Sequence, residues 1–227
     1  MAGTSFKLSP SDFAFLWDEC KRCFYLKVVM GFGRPAQPFP RIFGIIDGAM
    51  KKCYEGSRSE EMAPGAPAGK VKFGDGWVQS ENLGFPDGSA TCYIRGIYDT
   101  VIELDSGGYA VADFKTTAVR PASLAKYSRQ LHAYALALER PSPGMPSLTP
   151  VERLGLLVYE PSVFAKGETG VASLGGSVAW IEVKRDMDAF VGWLGTVLAV
   201  LEQSIPPPAD PECKMCQYRE SSRRTGW

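Results

Sequence analysis

The 227-residue chain has no excess of charge of either sign, with Lys+Arg and Asp+Glu at 25 each. No global positive field therefore advertises a polyanionic partner, and any contact with nucleic acid has to come from a local basic patch. Long apolar runs are also missing. The most apolar stretch, Ala189–Leu201, falls well short of the ~20 residues that a bilayer span needs. Met1–Lys7 lacks the basic-then-apolar pattern of a secretory leader. These absences predict a cytoplasmic protein with no membrane partner. No internal repeat is visible, and histidine is nearly absent, His132 standing alone. In a reducing compartment the six cysteines are expected as metal ligands or buried thiols rather than disulfides. Apolar and charged fractions are ordinary for a folded chain, and the length suits one core, so a single domain over residues 1–227 is expected.

Ser9-Pro10-Ser11-Asp12 ahead of Phe13, Phe15, Leu16 and Trp17 predicts a helix start, with hydroxyls and a carboxylate available for capping. A proline-containing loop over Arg34–Pro40 precedes a second helix from about Ile42 to Tyr54, and the Ala/Pro/Gly-rich Glu61–Gly69 reads as a surface loop. From Val71 the apolar period shifts towards two. Strands are predicted over Val71–Gln79, Thr91–Leu104 and Tyr109–Lys115, with Asp105-Ser106-Gly107-Gly108 as a tight hairpin between the last two. Tyr127, Leu131, Tyr134, Ala135 and Leu138 recur at helical spacing within Pro121–Arg140. After a loop over Pro141–Pro150, strands follow at Leu154–Tyr159 and Val178–Val183; the first is almost wholly apolar and so expected to be central. A last helix, Asp186–Gln203, is broken by Pro206-Pro207-Pro208, which leaves a tail over residues 209–227. The order predicts an α/β fold with a central mixed sheet flanked by helices.

Asp113 and Lys115 are two apart on a predicted strand, so both side chains emerge on one face. Asp99 lies on the preceding strand, where hairpin register can bring its carboxylate close to theirs. Converging carboxylates repel unless a cation joins them, and hard oxygen ligands favour Mg²⁺ or Mn²⁺. Such an ion acidifies a water and stabilises phosphoryl charge, while a neighbouring lysine orients or deprotonates that water. An isolated Asp-x-Lys on a strand is usually a solvated surface pair. Here Asp113 follows Val111 and Ala112 in an otherwise buried segment, where a carboxylate is costly unless paired or metal-bound.

Gly96-x-x-Asp99, a hairpin, Asp113-x-Lys115 and then Gln130-x-x-x-Tyr134 resemble, in that order, the RecB-like branch of the PD-(D/E)XK nuclease superfamily. Ser9-Pro10-Ser11 and Cys20-Lys21-Arg22-Cys23-Phe24-Tyr25 resemble that branch's N-terminal segment, so the likeness runs from about Leu8 to Tyr218. It implies a restriction-endonuclease-like core and hydrolysis of DNA phosphodiesters with Mg²⁺ or Mn²⁺. Exonuclease action is favoured, in DNA repair, recombination or CRISPR adaptation, with other proteins of those processes as possible partners. Asp99 and Asp113 would be metal ligands, joined by the main-chain carbonyl of Phe114, and Lys115 would position or activate the attacking water. Gln130 and Tyr134, i and i+4 on one helix face, would support the lysine and contact the substrate strand. Tyr134 also fits the apolar stripe and has a plain packing reading. Many members carry a metal-binding histidine on an early helix after a glycine. Here Phe43-Gly44-Ile45-Ile46-Asp47 occupies that place, so Asp47 is either a substitute ligand or an exposed helical carboxylate. His132 points to another face than Gln130 and reads as structural. Lys126, Arg129 and Arg120, with Arg219, Arg223 and Arg224 in the tail, are candidate phosphate contacts.

Cys20-x-x-Cys23 and Cys213-x-x-Cys216 have the spacing that lets paired thiolates grip one metal. Their separation is far beyond a zinc finger's, so a shared site would tie the tail to the N-terminal helix. A subset of RecB-like nucleases closes in this way around a four-iron four-sulfur cluster, with one N-terminal and three C-terminal cysteines. Cys213-x-x-Cys216-x-Tyr218 is similar to the C-terminal motif, but Ser222 stands where the last cysteine is expected, and Cys23 would supply the missing thiolate. The implied cofactor is that cluster, with Zn²⁺ or four unligated thiols as alternatives. Cys53 and Cys92 are expected to be buried. Two other function classes stay open: a non-catalytic nucleic-acid-binding subunit with the same fold, and a thiol redox protein, which would need exposed reactive thiols.

Overall fold

The structure, a computed structural model, describes residues 4–36, 38–73, 75–86, 90–118 and 121–225. Its main sheet contains β2 (Gly69–Phe73), β6 (Thr100–Leu104), β7 (Tyr109–Lys115), β8 (Val151–Lys166) and β9 (Ala172–Val183), in the order β2-β6-β7-β8-β9. Only β7 and β8 run parallel within it, which makes the sheet mixed, as expected. A second, smaller sheet is built on β5 (Thr91–Ile97), flanked by β1 (Ser5–Leu8) and β3 (Trp77–Gln79), with the short β4 (Leu83–Gly84) also on β5. Helices α1 (Pro10–Phe15), α2 (Lys21–Met30), α3 (Arg41–Tyr54), α4 (Pro121–Glu139), α5 (Met187–Leu201) and α6 (Lys214–Arg224) surround these sheets.

Two expected strands are broken, and for one reason. Thr91–Leu104 is interrupted at Tyr98-Asp99, and Val71–Gln79 is interrupted opposite it. Phe73 pairs with Thr100 while Trp77 pairs with Ile97, so β2 follows β6 into one sheet and β3 follows β5 into the other. A hydrogen-bonded pair of strands turns together, because a bend in one alone would strip the ladder from both. Asp99 therefore sits at the step between sheets rather than within a strand.

The hairpin at Gly107-Gly108 has both glycines at positive φ, +91° and +70°, a conformation that a side chain would strain. β7 ends where the sequence places it. Its alternation sets the site: Ala110, Ala112 and Phe114 join a small core with Val71, Ile102 and Leu157, while Val111 joins the large core under α4. Asp113 and Lys115 share Val111's parity and so face α4. β8 is buried from Leu154 to Val158, as expected for a central strand between β7 and β9.

The N-terminal helix comes in two pieces, since α1 ends at Phe15 and α2 restarts with Cys20 as N-cap. Ser9 caps α1 without a side-chain hydrogen bond, its hydroxyl meeting Ser11 instead. The tail is not structureless: α6 follows Cys213. Cys92 is buried as expected, but Cys53 is exposed, because α3 buries none of its residues. No helix is long and apolar enough to cross a membrane among the described residues.

Candidate active site and cysteine centre

Thr100 pairs with Ala112, so Asp99 arrives beside the outer half of β7. Its Oδ2 accepts the Phe114 N–H at 3.0 Å. Asp113 is 3 % exposed, and its Oδ2 forms an ion pair with the Lys115 ammonium without accepting a hydrogen bond of ordinary geometry. Burial pushes the Asp113 carboxyl up to about 7 against the pull of Lys115, and the Asp99 charge adds to the rise. A buried carboxylate beside a second carboxylate, with Lys115 as its ion-pair partner, fits a divalent cation. Lys115 Nζ also donates to Gln130 Oε1, and Gln130 Nε2 to Tyr134 Oη, each at 3.4 Å. Lys115, Gln130 and Tyr134 thus form one chain running from β7 onto α4. Burial raises the Tyr134 phenol above its usual range despite the Gln130 contact, so it stays protonated at neutral pH.

Gly96 explains the closeness of α1. A Cβ there would stand 2.9 Å from Pro10 Cδ and 3.3 Å from Tyr134 Cε1. The glycine lets the start of α1 and the Tyr134 face of α4 meet over β5.

Asp47, on α3, lines the same cleft as Asp99 and Lys115, a space of about 440 Å³ that Phe15, Phe39 and Phe43 also line. Lys51, one turn on, was not anticipated. Its Nζ lies 3.0 Å from Asp47, 2.6 Å from Asp75 and 3.1 Å from Asp99. Burial would lower the Lys51 pKa, but Asp75 and Asp99 outweigh it and hold the ammonium charged. Burial also raises the Asp47 carboxyl above its usual value, with Lys51 opposing.

The candidate phosphate contacts divide. Lys126 stands with Lys115 beside the Phe15 and Tyr127 rings, close to the centre. Arg129 is engaged by Asp18 at 2.6 Å and lies over Trp193. Arg219 lies over Phe32, lining with Arg22 and Arg223 a cleft near Cys216, and Arg224 pairs with Glu220. Arg120 falls outside the described residues. The sequence reading missed a further cleft of about 620 Å³, lined by Lys7, Lys27, Arg95, Trp77 and Tyr134. Lys27 is paired with Asp12, while Arg95 lies flat over Trp77. Sequence separation hides this patch, since β1, α2 and β5 contribute one cation each.

His132 serves the fold. Its Nδ1 lies 2.7 Å from the Ser128 carbonyl and its Nε2 accepts the Asp186 N–H at 2.9 Å, which fixes α4 against the N-cap of α5.

The four cysteines Cys20, Cys23, Cys213 and Cys216 are all buried, with their Sγ atoms within 4.8 Å of one another. Cys20–Cys216, Cys23–Cys213 and Cys23–Cys216 are 3.7, 3.7 and 3.6 Å apart. Four thiolates about 2.3 Å from one tetrahedral ion stand about 3.8 Å apart, so the pocket matches a single ion. The corners of a four-iron cluster hold their thiolates farther apart. Arg34 Nη2 donates to Cys213 Sγ at 3.2 Å and Nη1 pairs with Glu19 at 2.6 Å. Burial raises the Cys23 thiol despite Arg34. Burial opposes ionisation of Cys20 too, but hydrogen bonds from the backbone at Asp210 and Cys23 bring it down to about 7. All four of these thiols are buried, whereas a thiol redox cycle needs an exposed pair.

A profile of the PD-(D/E)XK nuclease superfamily matches residues 66–221. The chain belongs to this superfamily. Its members are nucleases that use divalent metals, which agrees with the convergence of Asp99 and Asp113. A solved structure titled "Crystal structure of SSO0001" superposes with a TM-score of 0.51 at 14 % identity, covering 94 % of this chain and 84 % of that one; it supports the fold alone. No curated protein matches.

Proposed function

We propose that the chain is a Mg²⁺- or Mn²⁺-dependent deoxyribonuclease whose centre is Asp99, Asp113 and Lys115. The observation that carries this reading is Asp113: a buried carboxylate beside Asp99, with one lysine to offset both its burial and the neighbouring carboxylate's charge. Asp99, Asp113 and the Phe114 carbonyl would hold the ion, with Asp47 at the cleft wall. When bound there, such an ion would supply an acidified water and offset charge on the phosphoryl oxygens. Lys115 Nζ, tethered by Asp113 and Gln130, holds the attacking water and neutralises charge that builds on phosphorus. Gln130 and Tyr134 keep that ammonium in place and face the approaching strand.

Substrate contacts fit the surroundings. Phe39 is 74 % exposed and Phe15 and Phe43 are partly exposed, so all three rings can stack on unpaired bases. The cleft of Lys7, Lys27 and Arg95 meets the centre at Tyr134 and offers cations to the backbone. Exonuclease action in repair, recombination or CRISPR adaptation is the finer reading, supported by the order of the motifs. The cysteine centre is read as structural, and its sulfur spacing favours Zn²⁺ over the four-iron four-sulfur cluster.

End-labelled single- and double-stranded DNA, incubated with Mg²⁺, Mn²⁺ or EDTA, tests the assignment. Metal-dependent shortening from an end is expected. Binding without cleavage in every metal would favour the non-catalytic subunit.

A further inference from the structure

Asp99 is held on both oxygens. Oδ2 accepts the Phe114 N–H at 3.0 Å, and Oδ1 accepts from the Lys51 ammonium at 3.1 Å. Lys51 is anchored by more than that bond. Its Nζ donates to Asp75 Oδ1 at 2.6 Å and stands 3.0 Å from Asp47 Oδ2, with the side chain 13 % exposed. An ammonium thus sits among three carboxylates, of which Asp99 is read above as a metal ligand and Asp47 lines the same cleft.

A divalent ion that takes Asp99 through Oδ1, the oxygen not engaged by the backbone, meets the Lys51 ammonium there. Two cations at one carboxylate oxygen repel, and a site that is mostly buried screens that repulsion poorly. Asp75 supplies the way out. It is exposed and makes the shorter of the two bonds, so Lys51 keeps a partner after leaving Asp99.

Resting on the reading of Asp99 as a metal ligand, we propose that Lys51 is the resident cation of the metal cradle, displaced from Asp99 towards Asp75 when the divalent ion binds. Lys51 therefore competes with the metal. It keeps the carboxylates together in the metal-free protein and weakens metal binding in the absence of DNA.

The test is Mn²⁺ binding followed by the loss of the free-ion EPR signal, without DNA, on protein whose cysteine centre is already loaded. Lys51→Met keeps the packing of the stem and removes the charge. Its Mn²⁺ affinity should rise on the order of tenfold, within the usual range for two ligands coupled through one site. Lys51→Arg keeps the charge and should bind no more tightly than wild type. Asp113→Asn identifies the site and should lose most of the binding. Affinity unchanged or weakened in Lys51→Met, or raised equally in Lys51→Arg, overturns the displacement and leaves the metal centre standing. Binding that is absent, or indifferent to Asp113→Asn, overturns both readings. Should Lys51→Met fail to fold, a crystal of the wild-type protein soaked in Mn²⁺ decides. Lys51 Nζ is expected beyond hydrogen-bond distance from Asp99 Oδ1, and a retained contact with the ion in place overturns the proposal.

Discussion

The carboxylate centre and the cysteine centre gather like charges in opposite ways. At the first, each carboxylate of the pair has a lysine: Lys51 at Asp99, Lys115 at Asp113. Internal cations there offset the repulsion between the carboxylates without a metal. At the second, four buried thiols are drawn within 4.8 Å, with Arg34 reaching Cys213 and Cys23 from one side. Among the described residues no group of three carboxylates is drawn that tightly. The contrast separates two tasks. An exchangeable site has to tolerate being empty, whereas a structural site can make its metal part of the fold.

The sharpest way to break the comparison is to remove each metal in turn. Stripping metal from the cysteine centre, or replacing Cys216 by Ser, should lower the melting temperature by about 10 °C, since metal binding there adds directly to folding. Protease should then cut after Pro208, because α6 is tied to α2 through that centre. EDTA acting on the carboxylate centre alone should leave the melting temperature within about 2 °C. A large drop there would erase the distinction.

A smaller effect of opposite sign is expected at Asp113. Without divalent metal, Asp113→Asn removes a buried carboxylate and should stabilise the protein by about 1–2 kcal/mol, measured by denaturant titration. A loss of stability would mean that Lys115 more than offsets the burial. Smaller again is the DNA contact. Binding should fall steeply with salt despite zero net charge, and Arg95→Ala should reduce the slope of log affinity against log salt by about 1. A slope unchanged by the substitution would remove the second cleft from the substrate path.

The smallest effect belongs to His132, which lies outside both centres. Burial lowers its pKa, so the folded protein takes up a proton less readily than the unfolded chain. Its contribution to stability is present above the unfolded value of about 6.5 and is lost as pH falls through the lower folded value. Melting temperatures between pH 7.5 and 5 should fall more steeply in wild type than in His132→Gln.

Local signals made the heart of the site legible. β7 and its Gly107-Gly108 hairpin rest on period two and on turn chemistry, so Asp113 and Lys115 could be placed on one face from the sequence. Gln130 and Tyr134 were singled out by the resemblance to the RecB-like branch, and helical spacing put them on one face of α4. What stayed hidden depends on distant pairing. The step at Tyr98-Asp99 looks like uninterrupted strand, because only the separate partners of β5 and β6 break it. Lys51 reads as one more helical cation until α3 is laid against Asp75 and Asp99. α6 escaped notice for a different reason. Lys214–Arg224 is polar nearly all round, and its helix depends on the buried Cys216 for attachment. The spacing of the cysteines was readable, but the 3.6–3.7 Å between sulfurs was not.

The central claim is that chemistry resides at Asp113 and not at the cysteines. It is tested most directly by the single-turnover cleavage rate of end-labelled DNA in Mn²⁺, for wild type and Asp113→Ala, with the cysteine centre fully loaded in both. The account predicts a loss of roughly a thousandfold or more in Asp113→Ala with an unchanged melting profile in metal. Cleavage by Asp113→Ala at the wild-type rate would contradict it.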